Sequence, residues 1–424
     1  MPTAARLYHD GVALAGTVLP LVGVVVLGWS PAAVLGIYLV ELCSVCFWTV
    51  LQVPFATKRP NNALDEGFEL LGPLQAKRGG TPLPGPFPPV YLRNVPVLVT
   101  GLVLTPVVAG LGFVLFALTR PTITESVAAT ILLGGSVAFL SHGATTWRQY
   151  FRDGGYREHS PRSVLLTPFK SLWVVGILFV VFLALEASRA LPNSRIAVIA
   201  LALGKLGYEV RTRRIDRDDG RRSLFAKLYG SKRTEVDPVP IQTPDSDPVE
   251  RVSMSRSVAV VDALGHGFRY GFLKLGIFVW GAVALGASAG SPGIVAAGLG
   301  LGVGFGSIRA TTRYLRYGTV EYRCHPDVIV AYDTLLDEPQ ARMVGSDVAG
   351  ATAERGLLDR LLGTETLDFE VVGADEQPSF DLIVPEDPDT EDDADESIPL
   401  SMPHLAEPTV VTDVLQLTWM LDGE

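Results

Sequence analysis

Four ionisable residues lie within or at the ends of long apolar stretches, where a charged side chain is costly. They are Glu41, His142, Lys205 and Glu209. Glu41 lies near the middle of its apolar stretch, and a carboxylate in lipid needs a cationic or hydrogen-bonding partner to remain charged. Lys205 and His142 are the candidate partners. The sequence therefore predicts an intramembrane polar site made from these four residues.

Several functions are compatible with such a site. A glutamate, a histidine and a lysine on three helices could relay protons or bind an ion, as in a transporter or channel. The simpler interpretation is a polar clamp that holds helices together. Lys205 and His142 are both predicted near the cytoplasmic ends of their helices, which disfavours a triad buried with Glu41. An intramembrane enzyme is the third alternative.

Two further patterns resemble known motifs but lack their context. Cys43 and Cys46 form a CxxC pair, but a closed zinc site needs four ligands, so we interpret the pair as packing. The glycine-rich run has no preceding strand and no Lys-Ser or Lys-Thr, unlike a phosphate-binding loop. Its Gly298, Gly302 and Gly306 repeat at every fourth position, which predicts close packing of helices. We predict no metal, no cofactor and no enzymatic activity.

Composition indicates that lipid surrounds much of the chain. Apolar residues make up 48% of the sequence, and the mean hydropathy is +0.31. Residues 1–320 carry 31 basic and 19 acidic side chains, whereas residues 321–424 carry 4 and 26. We therefore expect the first part beside lipid and the second part in water. The acidic composition and the low lysine content, 7 of 35 basic residues, resemble proteins of salt-loving archaea.

A bilayer-spanning helix needs roughly 17 to 25 mostly apolar residues. The sequence contains eight such runs: Gly11–Gly28, Ala32–Val53, Val95–Leu118, Val127–Ala144, Ser171–Ala187, Ser194–Val210, Gly271–Ser288 and Pro292–Ile308. Arginine and lysine concentrate in the segments that follow the second, fourth and sixth runs. Because basic loops remain on the cytoplasmic side, both termini are predicted to be cytoplasmic, in a multipass protein of the cell membrane.

The remaining segments define four predicted domains. Residues 1–210 form a six-helix membrane domain, and residues 211–256 form a basic segment followed by a disordered linker rich in proline and aspartate. Residues 257–317 form a two-helix hairpin. Residues 318–424 form a β-rich domain with an acidic insertion at 385–397. Residues 54–94 are predicted to be an irregular cytoplasmic loop.

Short strands alternate with turns in the last domain. They are predicted at Val328–Tyr332, Met343–Val348, Leu367–Val372 and Phe380–Val384, with a helical turn at Leu357–Leu362 and a terminal helix at Thr409–Leu421. The fold class is therefore an α-helical multipass membrane protein, with about eight transmembrane helices and a small C-terminal β-rich domain.

The region from Gly318 onwards resembles the bacterial pleckstrin-homology-like domains that follow a two-helix membrane hairpin. The resemblance is carried by Val320, Tyr322, Asp327, Val328, the Leu-Leu-Asp-Arg-Leu-Leu segment between Gly356 and Gly363, and Ile398, Pro399, Leu400 and Pro408. It implies a small bent β-barrel or sandwich closed by a helix. Four arginines against 26 carboxylates argue against phosphoinositide binding.

Residues 17–210 resemble an uncharacterised multipass membrane family common in haloarchaea. The resemblance is carried by Gly28-Trp29-Ser30, Tyr38-Leu39-Val40-Glu41, Ser141-His142-Gly143, Pro168, Lys205 and Glu209. It implies no activity.

These observations favour a membrane protein that anchors a cytoplasmic module for protein contacts or assembly. The expected partners are membrane lipid and either another protein or further copies of the chain, bound through the C-terminal domain. No nucleic-acid partner is expected. A transporter or channel that uses Glu41 is the main alternative.

Overall fold

The computed structural model describes residues 18–60, 71–187, 194–216, 235–236, 240–371 and 401–415. The chain divides into two compact units. Unit 1 comprises Met1–Leu64 and Pro82–Pro238, and unit 2 comprises Asp65–Thr81 and Val239–Glu424. Part of the predicted irregular loop therefore belongs to unit 2, although in the sequence it falls between two segments of unit 1. The four predicted domain boundaries remain a prediction.

Unit 1 is a bundle of apolar helices. After a helical stretch at residues 18–25 come α1 (Pro31–Gln52), α2 (Val95–Leu118), α3 (Glu125–Thr145), α4 (Pro161–Leu165), α5 (Thr167–Ala187) and α6 (Ser194–Asp216). Helix α1 begins where the Ala33 amide donates a hydrogen bond to Ser30 Oγ at 3.2 Å. A Cβ on Gly135 of α3 would lie only 2.6 Å from Val40 Cγ1, so glycine permits the close approach of α1 and α3.

Several helices are long and apolar enough to cross a membrane. Among the described residues, five stretches meet this condition: Pro31–Phe55, Leu92–Leu118, Glu125–Arg152, Pro161–Ala184 and Pro292–Gly318. The first four lie in the N-terminal half and confirm that this half consists of apolar helices. The sixth predicted span is helical, but its apolar part is only Ile196–Tyr208, shorter than a bilayer requires. Residues 11–17 of the first predicted span lie outside the described residues, and residues 18–25 of it are helical.

Unit 2 contains a helical hairpin. Its helices are α7 (Arg256–Phe268), α8 (Gly276–Ser288) and α9 (Pro292–Arg313), with π-helical turns at Arg269–Lys274 and Tyr314–Gly318. The stretches Arg256–Lys274 and Gly276–Ser288 meet at a bend of 61° and together are apolar enough for one span. Helix α7 begins upstream of Gly271, the predicted start of the seventh span, and contains Asp262, which forms an ion pair with Arg313.

The glycine repeat lies at the contact between the helices of the hairpin. A Cβ on Gly271 would collide with the Gly302 carbonyl, and a Cβ on Gly306 would lie 2.8 Å from the Gly267 carbonyl oxygen. A Cβ on Gly298 would lie 3.0 Å from the Ala282 Cβ. The hairpin helices therefore approach each other at backbone distance.

The C-terminal part of unit 2 is an antiparallel β-rich module. It contains β3 (Glu250–Ser253), β4 (Val320–His325), β5 (Val328–Asp333), β6 (Glu338–Val344), β7 (Val348–Glu354), β8 (Glu365–Val371) and β9 (Ser401–Leu405). Strands β3 to β6 form one sheet and β7 to β9 another, whereas β1 (Arg59–Pro60) and β2 (Glu235–Val236) pair in unit 1. Two helices, α10 (Leu357–Leu362) and α11 (Pro408–Val414), complete the module. Its core includes Cys324, Ile329, Leu367, Met402, Leu405 and Val411.

The structure corrects two details of the predicted module. Residues 250–253 fall in the predicted disordered linker but form β3, because Val252 pairs with Tyr322 and packs against the core. The predicted strand Met343–Val348 contains a turn at Gly345–Asp347, which separates the end of β6 from the start of β7. The predicted strand Phe380–Val384 and the acidic insertion lie outside the described residues, as does the end of the predicted terminal helix.

Candidate functional site

The first charged cluster lies in unit 1, where α1, α3 and α6 bring three of the predicted site residues together. Lys205 Nζ lies 2.7 Å and 2.9 Å from the two carboxylate oxygens of Glu41. His142 Nε2 lies 3.5 Å from Glu41 Oε1. The same lysine nitrogen lies 5.1 Å from the centre of the Tyr38 ring. The side chain of Glu209, the fourth predicted residue, lies outside the described residues.

The members of this cluster, which we call the helix clamp, differ in exposure. The side chains of Lys205 and Glu41 are 5% and 14% exposed, whereas that of His142 is 37% exposed. Lysine donates to both oxygens of the glutamate, so the pair compensates the cost of placing each charge among apolar helices. His142 is the most exposed member of the clamp. The arrangement can hold three helices in register.

The cysteines of the CxxC pair lie on α1 as well. Cys43 is exposed and Cys46 is buried, and Cys46 packs with Leu42 of its own helix and Val108 of α2. The interpretation of Cys46 as a packing residue agrees with these contacts.

A second charged cluster, which the sequence analysis missed, lies in unit 2. At its centre is Asp262 of α7, which is buried. Arg313 Nε of α9 donates a hydrogen bond to Asp262 Oδ2 at 2.7 Å, and His266 Nδ1 lies 3.0 Å from the other oxygen. His404 of β9 reaches the same oxygen through Nε2 at 3.1 Å. The cluster therefore connects two hairpin helices to a strand of the module.

His404 is held between two carboxylates. Its Nδ1 lies 2.6 Å from Asp359 Oδ1, opposite the contact of Nε2 with Asp262. Two carboxylate acceptors require a proton on each ring nitrogen, so the geometry favours the imidazolium ion. The hydrogen bond to Asp262, followed by that to Asp359, raises the pKa of His404 against the opposing effect of burial. His404 also has φ +57°, a left-handed conformation that is uncommon for histidine and is maintained here by its surroundings.

Asp359 extends this cluster into α10. Its carboxylate accepts hydrogen bonds from the Gly356 amide at 3.1 Å, from Thr364 Oγ1 at 2.8 Å and from Thr366 Oγ1 at 3.2 Å. It therefore fixes both ends of a short helix as well as the histidine. We call the set of Asp262, Arg313, His404 and Asp359 the joint.

A third buried pair attaches the loop segment of unit 2. Lys77 forms an ion pair with Asp333 of β5, and both side chains are buried. Asp333 also accepts hydrogen bonds from Thr319 Oγ1 and from the amides of Leu335 and Leu336, at 2.9 to 3.1 Å. Burial lowers the pKa of Lys77, although Asp333 partly opposes that shift. The segment is therefore anchored on the module by a specific contact.

A small cavity lies between this segment and the module. Its volume is about 100 Å³, and it is lined by Pro73, Ala76, Lys77, Arg316, Tyr317, Val320, Tyr322, Ala331, Gln340, Ala341 and Ser401. The lining is mostly apolar, and Tyr322 uses its hydroxyl to donate a hydrogen bond to the Ser401 carbonyl at 3.4 Å. The cavity could hold a group of a few atoms.

Part of the joint left a signal in the sequence. Asp262 and His266 are ionisable residues four positions apart at the edge of an apolar stretch, the same signal that identified Glu41. His404 gave no such signal, because it lies in a short strand beyond the acidic insertion. Lys77 was one of several basic residues in a loop.

The architecture defines a helical membrane protein that carries an antiparallel β-rich module. A model described as a family of unknown function (DUF6498) matches residues 5–224, more than half of the chain, and the chain belongs to that family. No curated protein matches the chain. No solved structure matches it either. The family match covers the helix clamp and Lys77, whereas the joint lies beyond it.

Proposed function

We propose that the protein is a non-catalytic anchor of the cell membrane, which holds its β-rich module in position for assembly with proteins or with further copies of itself. The observation that carries the proposal is the joint. A module tethered by a flexible linker would need no buried charges at its attachment point. Here a buried histidine and two buried aspartates connect the module to the hairpin, so its orientation on the hairpin is fixed.

The charge of the chain indicates which side of the membrane the module occupies. Basic residues are concentrated in loops assigned to the cytoplasmic side, and residues 321–424 carry 26 acidic and only 4 basic side chains. We propose about eight transmembrane helices, the short apolar helix Ile196–Tyr208 among them, with both termini in the cytoplasm. The acidic composition also supports an origin in a salt-loving archaeon, where concentrated salt screens repulsion between carboxylates.

We also propose that the module has a bacterial pleckstrin-homology-like fold. Two antiparallel sheets and the helix α11, with Val411 in the core, support this proposal. The scarcity of basic residues favours contacts with proteins over recognition of anionic headgroups.

Site-specific photo-crosslinking in native membranes tests the assembly function. A photoreactive amino acid at Asp347, an exposed position of the module, is expected to give crosslinked products of defined mass. Two differently tagged copies of the chain distinguish self-assembly from binding of another protein. The yield of these crosslinked products should decrease in Asp262→Ala, because this substitution loosens the joint. Absence of any crosslink from Asp347 and from other exposed module positions would contradict the proposal.

A transporter or channel is the second candidate, and the exposure of His142 beside Glu41 favours it. In that case protonation of His142 would compete with Lys205 for the Glu41 carboxylate. Proton flux into vesicles containing the full chain tests this function. A transporter requires that Glu41→Gln abolish the flux while Cys43→Ser, on the same helix, leaves it unchanged. Flux no higher than in empty vesicles would remove this candidate.

A further inference from the structure

Helix α10 presents an apolar surface that its own module leaves uncovered. It contains four leucines in six residues, and the side chains of Leu357 and Leu361 are each 83% exposed. These two leucines are four positions apart and therefore share one face of the helix. Asp359, on another side of α10, is buried in the joint. Asp359 of this helix thus faces the protein, whereas Leu357 and Leu361 face outwards together with Arg360.

The contacts of α10 place it beside the hairpin. A Cβ on Gly265 of α7 would lie 3.5 Å from Leu358 Cδ1. One turn earlier on α7, Asp262 contacts His404, which in turn contacts Asp359 of α10. The exposed leucines are therefore adjacent to the stretch of α7 between residues 262 and 265.

That stretch of α7 also has an exposed apolar face. Val261, Leu264 and Phe268 are 43%, 62% and 59% exposed and follow one another at helical spacing. Beyond the bend, the exposed surface continues with Ile277 and Phe278 of α8. Since α7 and α8 together are apolar enough to cross a membrane, these side chains are those that lipid would cover.

We propose that α10 is a second membrane contact of the module, with Leu357 and Leu361 inserted into the interfacial region of the lipid bilayer. The observation that favours lipid as the occupant is continuity, because the leucines extend the exposed apolar surface of α7 and α8, which together are apolar enough for one membrane span. Short amphipathic helices with leucine on one face insert at this depth. The inference rests on the membrane anchoring in the proposed function and adds a specific lipid-binding surface to it.

Depth measurement with nitroxide labels tests the inference on the full chain, reconstituted in vesicles of phosphatidylcholine and phosphatidylglycerol. Cys43→Ser removes the exposed native thiol, and Cys46 and Cys324 remain buried. Single labels are placed at Leu357→Cys, Leu361→Cys, Phe268→Cys and Ser346→Cys. Ser346 is exposed at the opposite end of β7 from α10 and serves as the aqueous control. Phe268 is the lipid control.

Oxygen, which concentrates in lipid, should relax the labels at positions 357 and 361 more strongly than a water-soluble nickel complex does. The ratio of relaxation by oxygen to relaxation by nickel at these two positions should match the ratio at position 268 and exceed the ratio at position 346. Ratios at 357 and 361 equal to that at Ser346 would overturn the inference. Protection from both reagents would also overturn it, since the surface would then be covered by a second copy or another protein. A water-like ratio at Phe268 itself would instead contradict the membrane anchoring.

Discussion

The two units each contain a carboxylate at the centre of a charged cluster, but they compensate it with different cations. In the helix clamp, Lys205 donates to both oxygens of Glu41. In the joint, Asp262 is shared by Arg313 and by His404, which also contacts Asp359. A lysine remains protonated over the whole neutral range, whereas a histidine loses its proton within or just above that range. The Lys205–Glu41 pair of the helix clamp should therefore be insensitive to pH near neutrality, whereas the joint should weaken as the pH rises.

The clusters also differ in what they connect. The helix clamp joins helices of one bundle, which apolar packing holds together in any case. The joint connects a membrane hairpin to a strand of the β-rich module. Loss of a single charge should therefore have the greater structural consequence in unit 2.

The largest effect is expected from Asp262→Ala. It leaves Arg313 and His404 without their shared carboxylate, and removal of one partner from a buried ion pair typically costs about 3 to 5 kcal/mol. Cys324 is buried in β4 and reports opening of the module through its reaction with a maleimide. Labelling of Cys324 in the purified full chain should become much faster. Asp347→Ala, at an exposed position of the same module, is the control and should change stability by less than about 0.5 kcal/mol.

A double-mutant cycle on the helix clamp should give the next largest effect. Glu41→Gln leaves the buried ammonium of Lys205 uncompensated and should lower stability by about 3 kcal/mol. Lys205→Met leaves the carboxylate of Glu41 uncompensated and should lower stability by about the same amount. The double variant leaves no uncompensated charge, so its loss should be smaller than that of either single variant. Thermal unfolding in detergent measures the four proteins. Additive losses would show that the two side chains do not compensate each other.

The glycine repeat of α9 offers a matched pair of smaller effects. Gly306→Ala should destabilise the hairpin by about 1 to 3 kcal/mol, because the new methyl group meets the Gly267 carbonyl. At Gly304, no described atom lies within 4 Å of an added Cβ, so Gly304→Ala should be neutral or stabilise the helix by up to about 1 kcal/mol. Thermal unfolding of the two variants compares these positions directly. Equal effects would show that the close helix contact is absent.

The smallest effect is the pH dependence of the joint. The pKa of His404 is raised in the folded protein, so its stabilising contribution is fully present below its ordinary value of about 6.5. That contribution is lost as the pH rises through the folded pKa. His404→Asn removes the titrating group, and asparagine tolerates the left-handed backbone at this position. The measured quantity is the labelling rate of Cys324 in the wild type divided by the rate in His404→Asn. Because ionisation of the thiol changes both rates equally, it does not change their ratio. This ratio should increase towards one with pH, whereas a constant ratio would exclude titration of His404 from the joint.

Apolar runs made most of the helices predictable, because lipid imposes a length and a composition that a single sequence reveals. The intramembrane glutamate was found for the same reason, although its distance from Lys205 could not be read from the spacing of residues. The joint was missed because His404 and Asp262 are separated by 142 positions and meet only through the fold. The strand at residues 250–253 was missed because its partner, β4, lies beyond the whole hairpin.

Hydrogen exchange on the full chain in lipid nanodiscs shows whether the module and the hairpin form one cooperative unit through the joint. Asp262→Ala substitutes a residue of helix α7, and His404→Asn substitutes a residue of strand β9. Either substitution should accelerate exchange in both places, around residue 262 of α7 and throughout β8 and β9. Acceleration confined to the substituted element in each variant would contradict it, because the module would then be only tethered to the membrane helices.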